Sequence, residues 1–100
     1  MNINKTQGDD KTTLTLSGRL DTTTAPQLQE ALIPEFDNTK NIELNFTDID
    51  YVSSAGLRIL LMGINAAKAK GASMVLCGVS EEIMEIFEMT GFSDILTIRK

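Results

Sequence analysis

The sequence predicts one α/β domain that combines a mixed β-sheet, opened by a hairpin, with three main helices. Strand-like segments alternate along the chain with segments whose apolar residues recur at the i, i+3, i+4 spacing of a helix. A short turn joins the first two strand-like segments, whereas helices separate the later ones. Parallel pairing with right-handed crossovers is therefore expected in the centre of the sheet. The 100 residues correspond to a single domain spanning 1–100.

The first half of the chain contains three predicted strands and one helix. The turn Gly8-Asp9-Asp10 separates the first two strands, and Gly18 ends the second. Thr23 or Thr24 can cap the helix, and Pro26 suits its first turn because a proline's missing N–H would be unpaired there. The predicted bounds are 2–7 and 12–16 for the hairpin strands, 25–36 for the helix, 41–46 for the third strand and 47–52 for a connector. The predicted buried face of the helix comprises Leu28, Ala31, Leu32 and Phe36.

The second half contains two further helices and two short strands. Ser80 can cap the third helix, while Gly71 and Gly91 end the second and third helices. The predicted bounds are 53 or 54 to 70 for the second helix, 74–77 for a buried internal strand, 80–89 for the third helix and 95–98 for the last strand. The predicted buried stripes are Leu57, Leu60, Leu61, Ile64 and Ala67 in the second helix, and Ile83, Ile86, Phe87 and Thr90 in the third.

Charge and residue usage argue against several classes of function. The net charge is −5 and Lys and Arg do not cluster, which argues against binding to a nucleic-acid backbone. The chain has no histidine, which excludes Ser-His-Asp and Cys-His catalysis and histidine-containing zinc sites. No catalytic residue, metal or cofactor is therefore predicted, and the chain is not expected to be an enzyme.

The single cysteine and the apolar segments indicate in which cellular compartment the protein is expected. Cys77 lies in the apolar run 74–77, so it is predicted to be a buried structural thiol in a reducing environment. Residues 1–11 are polar and do not resemble a signal peptide, and the apolar stretch 59–64 is far too short to span a membrane. A cytoplasmic protein without membrane insertion is expected.

One segment, 48–57, joins a strand to the second helix and places two hydroxyl groups at the helix start. These are Ser53 and Ser54. A helix N-terminus presents unpaired N–H groups and a partial positive charge, so a phosphoserine would be stabilised there. The alternative is that one serine only caps the helix and that Gly56 only eases packing. A nucleophile elbow is not present, since its first glycine and a histidine base are missing, and no phosphate-binding glycine motif occurs.

Five stretches of the chain together resemble the STAS domain of the bacterial anti-sigma factor antagonist family. The central run, 50–57, resembles the family's phosphorylation motif. Two stretches in the first half resemble the family's early corner, Ser17-Gly18-Arg19-Leu20-Asp21, and the start of its first helix, Thr24-Ala25-Pro26-Gln27-Leu28. Two in the second half resemble the turn into its fourth strand, Lys70-Gly71-Ala72-Ser73-Met74, and the end of its third helix, Ile86-Phe87-Glu88-Met89-Thr90-Gly91-Phe92. The resemblance covers nearly the whole chain and implies a single STAS-like domain.

The resemblance also implies a regulatory switch. In such proteins the unphosphorylated antagonist binds an anti-sigma factor, itself an ATP-dependent serine kinase, and frees the sigma factor. Phosphorylation of a serine at the start of the second helix breaks that complex, and a PP2C-type phosphatase restores it. A dianion inside a packed interface costs desolvation and repulsion, and a few kcal/mol changes affinity by orders of magnitude.

The family pattern Asp-Ser-Ser/Thr-Gly places the phosphoacceptor on Ser54. Ser53 occupies the usual Asp position and is the alternative acceptor. The predicted partner-binding residues are Asp21, Ser53, Ser54, Ala55, Gly56, Arg58 and Met62. Asp21 has an equally weighted alternative role, capping the turn before the first helix, and Gly56 is expected to let a partner's backbone approach. Because the usual Asp is missing, a second hypothesis stands beside the switch: a constitutive STAS scaffold that partners an ATPase, as in lipid-transport ABC complexes.

Overall fold

Five strands form one sheet whose order follows the chain. The structure, a computed structural model, describes residues 1–99. The strands are β1 (Asn2–Gln7), β2 (Thr12–Leu20), β3 (Asn41–Val52), β4 (Ser73–Cys77) and β5 (Thr97–Arg99), and the helices are α1 (Ala25–Leu32), α2 (Ser54–Lys70) and α3 (Glu81–Thr90). β1 pairs with β2 antiparallel, and the remaining pairs are parallel. The predicted mixed sheet, hairpin and three helices are confirmed.

The helices pack against one face of the sheet, because only that face carries a continuous apolar surface. The buried residues of β3 on this face are Ile42, Leu44 and Phe46, and the Phe46 ring contacts Phe87 of α3 at a centroid distance of 6.3 Å. The residues of the inner strands that point the other way are mostly polar. Glu43 is buried, and the half-buried ones are Thr13, Thr15, Ser17, Asn45, Val75 and Cys77. Cys77 therefore lies on the open face and is only half-buried, contrary to the prediction.

Strands β2 and β3 are longer than predicted, and their extensions support the candidate site. Gly18 does not end β2: with φ +104° it accommodates an irregular register, and pairing continues to Leu20 opposite Val52. Residues 47–52, predicted to be a connector, belong to β3. The low strand propensity of their aspartates is overridden because β2 supplies backbone partners.

Helix ends, helix faces and the start of the last strand also differ from the prediction. The first helix is α-helical only to Leu32 and continues as a 3-10 segment over Ile33–Asp37, because Pro34 cannot donate the next backbone hydrogen bond. Leu61 is 40% exposed, whereas Ile59 and Gly63 are buried in its place. The remaining differences are that Ala31 is half-buried, Thr90 is exposed, and the last strand begins at Thr97 because 92–94 forms a 3-10 turn.

Candidate functional site

The two serines lie at the carboxyl edge of the parallel strands, where β2 and β3 end side by side. The Ser53 N–H donates to the Leu20 carbonyl over 2.9 Å, which joins the start of α2 to the end of β2. Asp21 follows Leu20 directly. The prediction that Asp21 lies near this helix start is consistent with that bond.

Burial distinguishes the two serines. Ser53 is the N-cap of α2: its backbone is extended and its carbonyl accepts from the Leu57 N–H over 3.0 Å. The Ser53 Oγ is buried without a hydrogen-bond partner in the described chain, and it makes no capping bond. Ser54, the first residue of α2, is exposed. Of the two serines, Ser54 is therefore the one that is exposed to solvent.

The start of α2 is electrostatically suited to an anion. The helix has 17 residues, and its first turn contains no acidic side chain that would already neutralise the partial positive charge. The last turn carries Lys68 and Lys70, which complement the opposite end of the dipole. A phosphate on Ser54 would lie beside the unpaired N–H groups of the first turn.

Asp21 performs the capping role that the sequence left open. One of its carboxylate oxygens accepts from the backbone N–H of Thr23 over 3.0 Å and of Thr24 over 3.1 Å. The Thr24 N–H is the main cause that holds the pKa of Asp21 below its ordinary value, with smaller contributions from Thr23 and Arg19. Thr24 is the N-cap of α1, but its hydroxyl donates to the Arg19 carbonyl over 2.6 Å instead of capping the helix.

Gly56 fits the second of the two interpretations that the sequence left open, in which it only eases packing. It is buried, and a Cβ at this position would lie 2.6 Å from the Leu20 Cγ and 3.0 Å from the Leu20 carbonyl oxygen. The missing side chain therefore lets α2 pack against the end of β2. It does not open space for the backbone of a partner.

Three further predicted residues lie on the same side of α2 as Ser54 or next to it. Arg58 follows Ser54 by four residues and Met62 by eight, so both lie on its helix face. Arg58 is exposed, whereas Ala55 and Met62 are half-buried and pack partly against the core. The surface beside Ser54 therefore combines one cation with half-buried apolar groups.

Sequence reasoning missed two residues at this edge, Arg19 and Tyr51. The Arg19 guanidinium carbon lies 4.3 Å from the centroid of the Tyr51 ring, and the Arg19 Nε lies 3.6 Å from a carboxylate oxygen of Asp21. The pairing of Arg19 with Tyr51 follows a register shift at Gly18. A sequence pattern does not reveal such a shift. The nearest available signal was that Arg19 lies within the Ser17–Asp21 stretch and Tyr51 within the 50–57 run, both of which resemble the family.

The described residues show neither a metal site nor a membrane segment. Across 1–99 no cluster of three or more Cys, Asp or Glu side chains could hold a metal ion. In the same part of the chain no helix has both the length and the apolar character to cross a bilayer.

Comparison with known proteins identifies the family. The STAS domain family model matches residues 2–100. The chain belongs to the STAS domain family. An anti-sigma-B factor antagonist of Staphylococcus aureus is 31% identical over 101 residues, which cover all of this chain and 94% of the relative. The predicted resemblance is thereby confirmed.

Solved structures show the same fold. A Thermotoga maritima protein described as a candidate anti-sigma factor antagonist has a TM-score of 0.90 at 17% identity, covering 98% of this STAS chain and 86% of its own. The phosphorylated form of the Bacillus cell fate determinant SpoIIAA has a TM-score of 0.75 at 16% identity, covering 99% and 92%. At this identity the likeness concerns the fold. The name of the Staphylococcus aureus relative is that of an anti-sigma factor antagonist.

Proposed function

We propose that this STAS protein is an anti-sigma factor antagonist whose unphosphorylated form binds an anti-sigma factor serine kinase and releases the sigma factor. Phosphorylation of Ser54 abolishes that binding. The names of the curated relatives support the antagonist role. One structural observation carries the choice of switch residue: Ser54 is exposed at the start of a 17-residue helix, while the neighbouring Ser53 Oγ is buried.

Access decides between the two hydroxyl groups. A kinase must bring the γ-phosphoryl of ATP in line with the serine Oγ, which then loses its proton as ADP leaves. The exposed Ser54 meets that requirement without a change in the fold. Phosphorylation of Ser53 would require its Oγ to leave a buried position next to the end of β2.

The proposed partner surface surrounds Ser54 and explains how a phosphate acts as a switch. It comprises Asp21, Ser53, Ser54, Ala55, Arg58 and Met62, with Gly56 supporting it from below. Half-buried apolar groups such as Met62 gain from being covered by a partner. A phosphate would add a charge near −2 to the middle of this interface, where desolvation and repulsion oppose binding.

The proposed cycle closes through a PP2C-type phosphatase that hydrolyses the phosphoserine. The same exposure that admits the kinase leaves the Ser54 phosphate open to water and to a second enzyme. Because the phosphate is stabilised at the helix start and does not require a refolded chain, its removal restores the binding surface directly.

Mapping the phosphate tests the choice of Ser54. The wild-type chain, Ser54→Ala and Ser53→Ala are incubated with ATP and the anti-sigma factor kinases of the same organism, and phosphopeptides are sequenced by mass spectrometry. We expect one phosphate on Ser54 in the wild type and in Ser53→Ala, and none in Ser54→Ala. A phosphate on Ser53 would contradict the assignment. Absence of phosphate from both serines would contradict the switch and favour the constitutive scaffold that partners an ATPase.

A further inference from the structure

The stacked pair of Arg19 and Tyr51 lies at the same edge of the sheet as Ser54. Both side chains extend from the paired ends of β2 and β3, and Tyr51 precedes Ser54 by three residues. Tyr51 is 39% exposed, and the Arg19 side chain is 59% exposed. Tyr51 therefore offers part of an aromatic ring, next to an exposed cation, at the edge where Ser54 lies.

The pair is held in place before any partner arrives. Arg19 stacks on the Tyr51 ring at 4.3 Å and contacts Asp21 through Nε at 3.6 Å. Asp21 is itself fixed by the backbone N–H groups of Thr23 and Thr24, and Thr24 bonds back to the Arg19 carbonyl. Ordering a flexible arginine during binding costs affinity, so an arginine that is already ordered is a better anchor.

We propose that Arg19 and Tyr51 form a second anchor of the partner interface, next to the Ser54 surface. This inference rests on the proposed function and concerns its specificity. The guanidinium has five N–H donors, and its Nε lies 3.6 Å from a carboxylate oxygen of Asp21. The remaining donors fit a carboxylate of the kinase, and the open part of the Tyr51 ring fits an apolar side chain beside that carboxylate.

Local charge favours an acidic group on the partner at this point. Arg19 is surrounded in sequence and in the sheet by Asp21, Asp48 and Asp50, and the chain as a whole carries −5. An exposed cation beside acidic side chains favours a partner that presents a negative group opposite that cation and not opposite its acidic neighbours. The anchor would thus fix the orientation of the complex relative to Ser54.

The test is a double-mutant cycle on complex formation with the anti-sigma factor kinase that binds the unmodified wild-type chain. Arg19→Ala and Tyr51→Ala should each weaken binding about tenfold or more, as expected for anchor residues. The double variant should weaken binding by less than the product of the two single fold-losses, because the side chains act as one unit. Tyr51→Phe should stay within about twofold, since it retains the stacked ring. Arg19→Lys should weaken binding, since lysine lacks the planar fork.

Controls separate this inference from the proposed function. Met89, which is 87% exposed near the end of α3 and belongs neither to the Ser54 surface nor to the Arg19–Tyr51 pair, supplies Met89→Ala as a surface control. Thermal unfolding identifies any variant that is not folded. If Arg19→Ala is not folded, Arg19→Lys replaces it. Binding by Arg19→Ala and Tyr51→Ala within about twofold of wild type would overturn the inference while leaving the Ser54 switch intact. An equal loss in Met89→Ala would also overturn it. Failure of the wild-type chain to bind any such kinase would overturn the proposed function itself.

Discussion

Two adjacent serines at the start of α2 differ in what their hydroxyl groups can do. The Ser53 Oγ is buried without a partner, and Ser54 is exposed. This difference in burial between the two serines cannot be derived from the sequence, because it depends on how the N-cap residue packs against the end of β2. The motif predicts where in the chain the site lies, whereas the burial of each oxygen depends on the packing.

Asp21 gives the site a pH dependence that can be measured. Its pKa lies below the ordinary value of 3.8, mainly because the Thr24 N–H donates to the carboxylate. The stabilisation by the charged form is fully present above that ordinary value and is lost as the pH falls through the lower, folded-state pKa. Asp21→Asn can still accept both hydrogen bonds but does not titrate. We expect it to lower the free energy of unfolding at neutral pH.

Urea unfolding at a series of pH values checks this expectation. The difference in unfolding free energy between the wild type and Asp21→Asn should shrink as the pH falls below about 4, because the unfolded state takes up the proton first and the folded state follows at its lower pKa. A difference that stays constant from neutral to strongly acidic pH would show that the carboxylate charge makes no contribution.

Gly56 tests the contact between the start of α2 and the end of β2. A Cβ in Gly56→Ala would approach Leu20 to 2.6 Å, and Leu20 is fully buried and cannot move away. Overpacking of this kind costs about 1–3 kcal/mol, which outweighs the helix propensity of alanine at about 0.5–1 kcal/mol. We expect a lower unfolding free energy and weaker partner binding, because the helix start shifts.

Gly71→Ala is the matched glycine control. Gly71 ends α2 with φ +64° and has no atom within 4 Å of the added Cβ, so this change strains only the backbone at the far end of the helix. It should lower the free energy of unfolding, which chemical denaturation measures. Partner binding, measured by titration, should be unchanged. Equal effects of Gly56→Ala and Gly71→Ala on binding would contradict the role assigned to the Leu20 contact.

At the scale of whole elements, α2 and α3 begin with serine N-caps of different quality. The Ser80 Oγ accepts from the Ile83 N–H over 3.2 Å, whereas the Ser53 Oγ accepts no such bond. Ser80→Ala should therefore cost about 1 kcal/mol, and Ser53→Ala should cost much less or stabilise the chain, since it removes an unpaired buried oxygen. Urea unfolding of both variants measures the difference. Equal losses would contradict the absence of a cap at Ser53.

Element type was predictable where apolar periodicity was strong, and element ends were not. The helical spacing of Leu57, Leu60 and Ile64 identified α2 and most of its buried face. Leu61 was wrongly placed in the core because the helix faces the sheet with Ile59 and Gly63 instead. The extension of β3 through Asp48 and Asp50 could not be predicted, since β2 and not local propensity stabilises it.

The proposed switch requires no conformational change of the chain as a whole. Asp21, Ser53 and Ser54 lie at the carboxyl edge of the sheet, where the Ser53 N–H donates to the Leu20 carbonyl, and Arg58 and Met62 follow along α2. A phosphate on an exposed residue at a helix start adds charge without requiring space in the core. We therefore attribute the switch to electrostatics and desolvation at the interface.

The most direct test of this account is the affinity of one anti-sigma factor kinase for the same chain with and without phosphate on Ser54. Both forms are purified, checked by mass spectrometry and titrated by calorimetry at the same ionic strength. The account predicts that phosphorylation weakens binding by about a hundredfold or more, equivalent to roughly 3 kcal/mol, while Ser54→Ala binds like the unmodified chain. Equal affinities of the phosphorylated and unmodified forms would contradict it.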